Sequence, residues 1–206
     1  ATLFCWSPTW YVIKFQLGIV DPLVSVFYRF FLAAIILIVF CYAKGMKFNF
    51  TIKNHFYICL LGVLLFNINY VLFYISTQYL ISGLVCLCFS ALLIMNIFNY
   101  FIFYKEKPSL MTLFGSTFGL IGLVIIFNNE IFNFDYKTGT SFGILVGLIA
   151  TYIASLGNIV SIKNSKDNLN VISVNALAML YGSISLFIYL IVTKSNFNFE
   201  ITTAYI

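Results

Sequence analysis

Charge is scarce in this chain. Charged residues make up 8% of its 206 positions against 62% hydrophobic ones, and the mean hydropathy is +1.03. A soluble domain of this length carries about a quarter of its residues charged, so a water-soluble globular protein is excluded. Acids are scarcer still. Asp21, Glu106, Glu130, Asp135, Asp167 and Glu200 all punctuate apolar runs, and none lies deep inside one. That excludes the intramembrane carboxylate relay of a proton-driven pump. It also removes the acid/base pairs, metal clusters and triads an intramembrane enzyme needs. Histidine occurs once, at His55 beside Lys53, where it reads as an interface residue. No enzyme activity, cofactor or metal is expected.

Cysteine offers no framework either. Cys5, Cys41, Cys59, Cys86 and Cys88 all sit in hydrophobic runs, where cysteine behaves as a small hydrophobe. Cys86 and Cys88, two residues apart on a helix, point roughly 200° away from each other and cannot share a metal. The net charge of +5 comes from lysines gathered in short loops, a topological signature rather than a nucleic-acid surface. No basic leader with a small-residue cleavage site opens the chain. It begins at Ala1 inside a hydrophobic run and reads as a truncated first helix.

What is present is long apolar sequence. Only helices or closed barrels satisfy the backbone in lipid, and runs of about 20 residues fit a helix across the bilayer. The fold class is therefore all-α integral membrane. Seven transmembrane helices are expected near residues 1–19, 23–43, 56–77, 80–103, 110–127, 142–162 and 171–193. Asp21-Pro22, Lys105-Glu106-Lys107-Pro108 and the polar stretch from Asn128 to Thr140 separate them. Lys44, Lys47, Lys53, Lys105, Lys107, Lys163 and Lys166 fall in loops on one side, and only Lys137 and Lys194 on the other. Lysine-rich short loops stay cytoplasmic. The chain is thus expected in the cell (inner) membrane with its N-terminus cytoplasmic and Ile206 outside. The sequon Asn49-Phe50-Thr51 then lies inside, away from glycosylation.

An internal repeat is suggested by two stretches. Tyr11-Val12-Ile13-Lys14, Asp21 and Val24-Ser25-Val26 find an echo in Ile159-Val160-Ser161-Ile162-Lys163, Asn168 and Ile172-Ser173-Val174. If the sixth span repeats the first, the unit has five helices, and an odd unit enters the membrane upside down the second time. Residues 1–127 then form a first five-helix repeat and 142–206 the first two helices of a second, inverted one. On that expectation three spans of a ten-helix bundle are missing.

The run Trp6-Ser7-Pro8-Thr9-Trp10-Tyr11-Val12-Ile13-Lys14, then Asp21-Pro22 and Tyr28-Arg29-Phe30, resembles the opening of EamA-type carriers of the drug/metabolite transporter superfamily. Phe103-Tyr104-Lys105-Glu106-Lys107-Pro108, followed by Gly115, Gly119 and Gly122, is similar to that family's short acidic loop and glycine-rich fifth helix. Residues 80–103 lack the proline this family often carries in its fourth span. The resemblance implies a ten-helix carrier that exports or exchanges small metabolites, such as amino acids, by alternating access around a central cavity. Its partners are then a small-molecule metabolite and the lipid bilayer, with no nucleic acid; a homodimer is neither required nor excluded. The rival reading is a structural or regulatory membrane protein, or a degenerate transporter fragment that moves nothing. Three further apolar spans after Ile206 in the gene favour the carrier, and an immediate stop the rival.

Candidate site residues follow from polarity inside apolar spans. Arg29 lies about 10 Å down its helix, where a guanidinium costs about 2.5–3.5 kcal/mol. It either meets a substrate anion in the cavity, or snorkels outward, or pairs with Asp21. Lys14 is nearer the surface and snorkels more easily. Asn67, Tyr70, Tyr74 and Gln78 recur at helical spacing on the third span, and Thr151, Ser155 and Asn158 on the sixth. Such stripes line a cavity or tie helices together, the latter at about 0.6 kcal/mol per hydrogen bond; two stripes on helices of different repeats favour a shared cavity. Asn96 and Asn99 lie nearer the cytoplasm and are candidates for an inner gate. Gly115, Gly119 and Gly122 form a small-residue face expected to pack closely against another helix. Pro8 frees the Phe4 carbonyl and either borders the site or is a simple kink; Trp6 and Trp10 line the entrance or pack.

The orientation is directly testable. With the native cysteines removed, a cysteine at Lys137 is expected to react with an impermeant thiol reagent on intact cells and one at Lys47 to stay unlabelled; the opposite pattern reverses the topology.

Overall fold

The computed structural model describes residues 21–126, 128, 139–195 and 197, and within them every regular element is helical. The helices are α1 (Pro22–Ala43), α2 (Ile52–Val63), a π-helical turn (Leu64–Ile68), α3 (Asn69–Tyr79), α4 (Ser82–Ser90), α5 (Leu92–Tyr104), α6 (Leu110–Ile126), α7 (Thr140–Lys166) and α8 (Val171–Val192). Five stretches are long and apolar enough to cross a membrane: α1, Ile52–Tyr79, Ser82–Tyr104, α7 and α8. The expected first span lies outside the described residues. The expected fifth span is α6, 17 residues long, about 25 Å at 1.5 Å per residue and short of a hydrocarbon core of about 30 Å.

Local chemistry sets the helix starts. The Asp21 carboxylate accepts from the Leu23 amide at 2.8 Å, with Pro22 in the first turn, a favourable start because proline's missing N–H would have no partner there anyway. Thr51 accepts from the Asn54 amide, so the third span begins at Ile52 rather than near residue 56. Asn170 accepts from the amides of Ile172 and Ser173. The residue that opens α8 as Asp21 opens α1 is therefore Asn170, two positions beyond the Asn168 that the sequence echo matches to it.

The fourth span is interrupted without proline. The Ser90 hydroxyl donates to the Leu87 carbonyl at 2.6 Å, and the Ala91 amide bonds the Cys88 carbonyl three residues back. A serine that bonds back into its own helix loosens the ladder, so the distortion the missing proline would have supplied is present.

Packing is inverted relative to a soluble protein. On α1, Leu32, Ile36 and Val39 are about 60% exposed, while Ser25 faces inward; Ser76, Thr151, Ser155, Ser173 and Ser183 are buried as well. An apolar outer surface around a partly polar interior suits lipid as the solvent. The chain is a multi-pass membrane protein.

Two apolar clusters hold the bundle. One joins α1, α2 and α8 through Val24, Phe30, Ile58, Leu61, Val174 and Leu186. The other joins α3, α4 and α7 through Phe73, Leu84, Val85, Cys88 and Ala150. The long helix Ile52–Tyr79 takes part in both, so it is the wall the others share. α1 and α8 lie antiparallel: Phe27 stacks on Phe187 at 5.2 Å near one end, and the Ser173 hydroxyl meets the Cys41 sulfur at 3.9 Å near the other.

The backbones of α2 and α8 approach each other closely. A Cβ on Gly62 would collide with the Ala178 carbonyl oxygen, and one on Gly182 would lie 2.6 Å from the Gly62 carbonyl oxygen. By contrast, a Cβ on Gly115, Gly119 or Gly122 meets nothing within 4 Å. The close packing expected of that stripe is absent among the described residues. The physical reason is the position of α6, which touches α4 and buries only Ser116.

These two glycine settings separate in a stability test. Gly62→Ala is expected to cost about 1–3 kcal/mol by overpacking. Gly119→Ala is expected to be neutral or to gain about 0.5–1 kcal/mol from helix propensity. Unfolding by a denaturing detergent, followed by circular dichroism, checks both.

Candidate functional site

The π turn is the local feature on which the site is built. A π turn inserts one extra residue into the helical ladder and rotates the residues beyond it. Asn67 lies within it, so Asn67 no longer shares a face with Tyr70 and Tyr74 as uniform α-helical spacing predicts. Tyr74 is fully buried in the α1–α2–α8 cluster. Tyr70 packs edge-on to Phe30 at 4.6 Å. Asn67 turns instead toward α8, where its amide Nδ2 donates to the Ser185 hydroxyl at 2.7 Å. The Ser185 hydroxyl in turn donates to the Gly182 carbonyl at 2.7 Å. That second bond uses the serine proton, so Ser185 accepts from Asn67 and the amide orientation is fixed.

Around this pair lies a cavity of about 570 Å³ between the start of α1, the π turn with α3, and the end of α8. Its size suits a small-molecule site. Asn67 and Ser185 contribute deep polar atoms, Asp21, Gln78 and Tyr189 stand toward the helix ends, and Leu72, Ile75 and Leu186 supply apolar wall. Ser185 and Tyr189 do not stand out in the sequence. The one sequence signal Ser185 carries is its place three residues after Gly182.

Arg29 does not line this cavity. It is exposed on α1, its guanidinium lying 5.7 Å from the Tyr70 ring centroid and 6.0 Å from that of Phe30. Among the described residues the ion pairs are Lys163–Asp167 and Lys166–Glu106, so Arg29 pairs with neither Asp21 nor another acid there. Among the described residues its neighbours are aromatic faces, not a carboxylate. Lys14, Trp6, Trp10 and Pro8 lie outside the described residues.

The second polar stripe goes elsewhere. Ser155, fully buried, accepts from the Asn99 amide at 2.8 Å, and the Asn158 amide donates to the Asn96 carbonyl oxygen at 3.3 Å. Thr151, also fully buried, donates to the carbonyls of Gly147 and Cys88 at 2.8 and 3.1 Å. These contacts tie α7 to α4 and α5. The structure does not bring the stripe of the third span and the stripe of the sixth into one space, because the long helix presents Gly157 of α7 with apolar Leu64 and Leu65 rather than Asn67. Thr151 and Ser155 therefore act as interhelical ties, not as lining of the Asn67 cavity.

At the lysine-rich end the α5–α7 tie continues into charge. The Tyr100 hydroxyl donates to Glu106 at 2.8 Å and Lys166 reaches its other oxygen at 3.3 Å. The Lys166 ammonium also sits 3.8 Å from the Tyr104 ring centroid. The Tyr100 hydrogen bond, then Lys166, holds the Glu106 carboxyl below its usual range. A second cavity of about 550 Å³ lies beside this cluster, lined by Asn96, Tyr100, Glu106, Thr112 and Asn158 among others. Asn96 and Asn158 are thus at a cavity margin, whereas Asn99 is enclosed.

The candidate site is thus a cavity between apolar membrane helices with a π turn at its edge. Residues 1–128 match the model of the EamA-like transporter family. The chain belongs to this family. A Bacillus subtilis (strain 168) protein described as the uncharacterized transporter YoaV is 26% identical over 187 residues. The match covers 89% of this chain and 62% of that relative's length. Family membership agrees with the resemblance carried by the Trp6–Lys14 and Phe103–Pro108 motifs.

Two outcomes are expected at these contacts. A double-mutant cycle of Asn67→Ala and Ser185→Ala, read by detergent-induced unfolding, should give a coupling of about 0.6 kcal/mol; no coupling would mean the bond is not formed. Tyr100→Phe should raise the Glu106 titration midpoint, followed by the carboxyl carbon shift in NMR. The sign follows from the lowered carboxyl: the interaction is fully present above the unfolded-state pKa and is lost as pH falls through the folded-state one.

Proposed function

We propose that this chain forms most of a secondary carrier for small polar metabolites such as amino acids, working by alternating access in the cell membrane with no cofactor. The observation that carries this reading is the cavity of about 570 Å³ at the π turn, where polar Asn67 and Ser185 are set among apolar walls inside a membrane bundle. Family membership and the relative described as a transporter add their support.

In the proposed arrangement seven spans belong to a ten-helix bundle of two inverted five-helix repeats, residues 1–127 and 142–206. The antiparallel packing of α1 and α8, each opened by an Asp or Asn cap, supports that relation. The N-terminus is placed in the cytoplasm, which puts the Asn67 cavity toward the outside and the Glu106 cluster inside. The Asn96–Asn158 bond, at the margin of the inner cavity, then serves as the inner gate, closed while the outer cavity is accessible, and the enclosed Asn99–Ser155 bond holds α7 beside it. Neutral amide and hydroxyl pairs suit a gate because each is weak and can be exchanged for water.

The test is uptake by proteoliposomes holding the product of the complete gene. Labelled amino acid should exchange across the membrane, and Asn67→Leu should slow it roughly three- to tenfold at equal incorporation, the scale of one neutral hydrogen bond. Absence of exchange for any small metabolite tried, with the protein folded, would favour a non-transporting role.

A further inference from the structure

We infer that the groove between α5 and α6 is a lipid site, which takes an acyl chain of an anionic phospholipid and holds that lipid's phosphate at Lys107. The groove lies apart from the Asn67 cavity and does not rest on the carrier reading. Only residues 105–109 join α5 to α6, and helices so briefly connected ordinarily pack side by side. Among the described residues these two do not: α5 packs chiefly on α7, and α6 on α4. The gap left between them is a groove of about 460 Å³, walled by Ile94, Ile97, Phe98, Phe101 and Leu113, with Lys107 and Pro108 at the loop end. Phe98, Phe101 and Leu113 are exposed, so the groove opens on the surface that faces lipid. Left empty it forfeits dispersion contacts, and its apolar walls offer water no hydrogen bond. A hydrocarbon chain supplies those contacts.

Charge decides which lipid enters. The motif Lys105-Glu106-Lys107-Pro108 divides at this loop. Glu106 turns toward α7, where Tyr100 and Lys166 take its two oxygens, and it lines the polar cavity on that side. Lys107 lines the apolar groove instead. It is exposed and belongs to neither ion pair found among the described residues. A lysine stem lies readily along apolar surface with its ammonium at headgroup level. No acid lines the groove among the described residues. A phosphate therefore meets an opposite charge there, whereas the ammonium of a zwitterionic headgroup meets a like charge and no acid. Basic pockets between membrane helices on the lysine-rich side suit anionic headgroups for this reason.

The experiment places a fluorescent reporter in the groove. Phe98→Trp is made in the full-length protein with its other tryptophans replaced by phenylalanine, and the protein is reconstituted in vesicles of phosphatidylcholine and phosphatidylglycerol. Each lipid in turn carries a brominated acyl chain, which quenches tryptophan on contact. At equal mole fraction, phosphatidylglycerol is expected to occupy the groove roughly fivefold more favourably than phosphatidylcholine, the scale of one lysine at an anionic surface. Lys107→Gln should bring the two lipids level. Lys47→Gln, in the loop between α1 and α2, should leave the preference intact. Phe101→Trp reports from the same wall should Phe98→Trp fold poorly. Equal quenching by the two lipids overturns the inference. So does a preference that survives Lys107→Gln, or one that falls equally with Lys47→Gln and so marks general surface charge. Absence of quenching by either lipid overturns it as well, since another protein segment or a second copy then covers the groove.

Discussion

The contact between Gly62 and Gly182 is the constraint from which the rest of the bundle is set. No side chain fits between α2 and α8 there, so the two backbones lie against each other. Lipid tails are as apolar as leucine, and burial alone does not drive helices together in a membrane; close van der Waals packing of small residues does. One helical turn along from this crossing, the π turn lets the long helix change face. Asn67 and Ser185 can meet across the interface because their backbones have been brought close just before them. The cavity then opens where the helices diverge toward Asp21, Gln78 and Tyr189.

Polar residues divide into two populations with different physics. Thr151, Ser155 and Asn99 are enclosed and bonded across helices or to backbone, so they fix α7 against its neighbours. Asn67, Asn158 and Asn96 reach cavity margins while still holding one partner. A membrane carrier needs both kinds, since a group too firmly satisfied cannot exchange its partner and one with none is costly in low dielectric. At the lysine-rich end, aromatic rings and acids surround Lys163 and Lys166. These groups are exposed, and exposed ion pairs contribute little stability; their effect is to place the end of α7.

Much of the fold was legible because it depends on solvent. The boundaries of α8 and α6 fall within a residue of the hydropathy runs, as expected when lipid tolerates apolar length and little else. The start of α2 was placed too late, because Thr51 and its capping bond lie outside the apolar run and hydropathy does not register them. The break at Ser90 was hidden for a similar reason: serine lacks proline's visibility but bonds back into the ladder. The glycine faces were legible as small-residue stripes but not as contacts. Among the described residues Gly115, Gly119 and Gly122 have the regular spacing and no neighbour, while Gly62 and Gly182 have the neighbour and no repeating pattern.

At the candidate site the assumption of a uniform helix breaks down. From sequence, Asn67, Tyr70 and Tyr74 are one stripe and Thr151, Ser155 and Asn158 another, and both stripes require an unbroken helix of 3.6 residues per turn. The sequence determined that this is a helical membrane chain of the EamA-like family, and that its interior would hold amides and hydroxyls rather than acids. Those properties depend on residue type and on a solvent that acts uniformly along the chain. Which amide faces a cavity, which is sealed in an interface and whether Arg29 enters were decided only in three dimensions. A single extra residue in the π turn rotates every side chain beyond it, and the partner that rewards this rotation, Ser185, is 118 residues away.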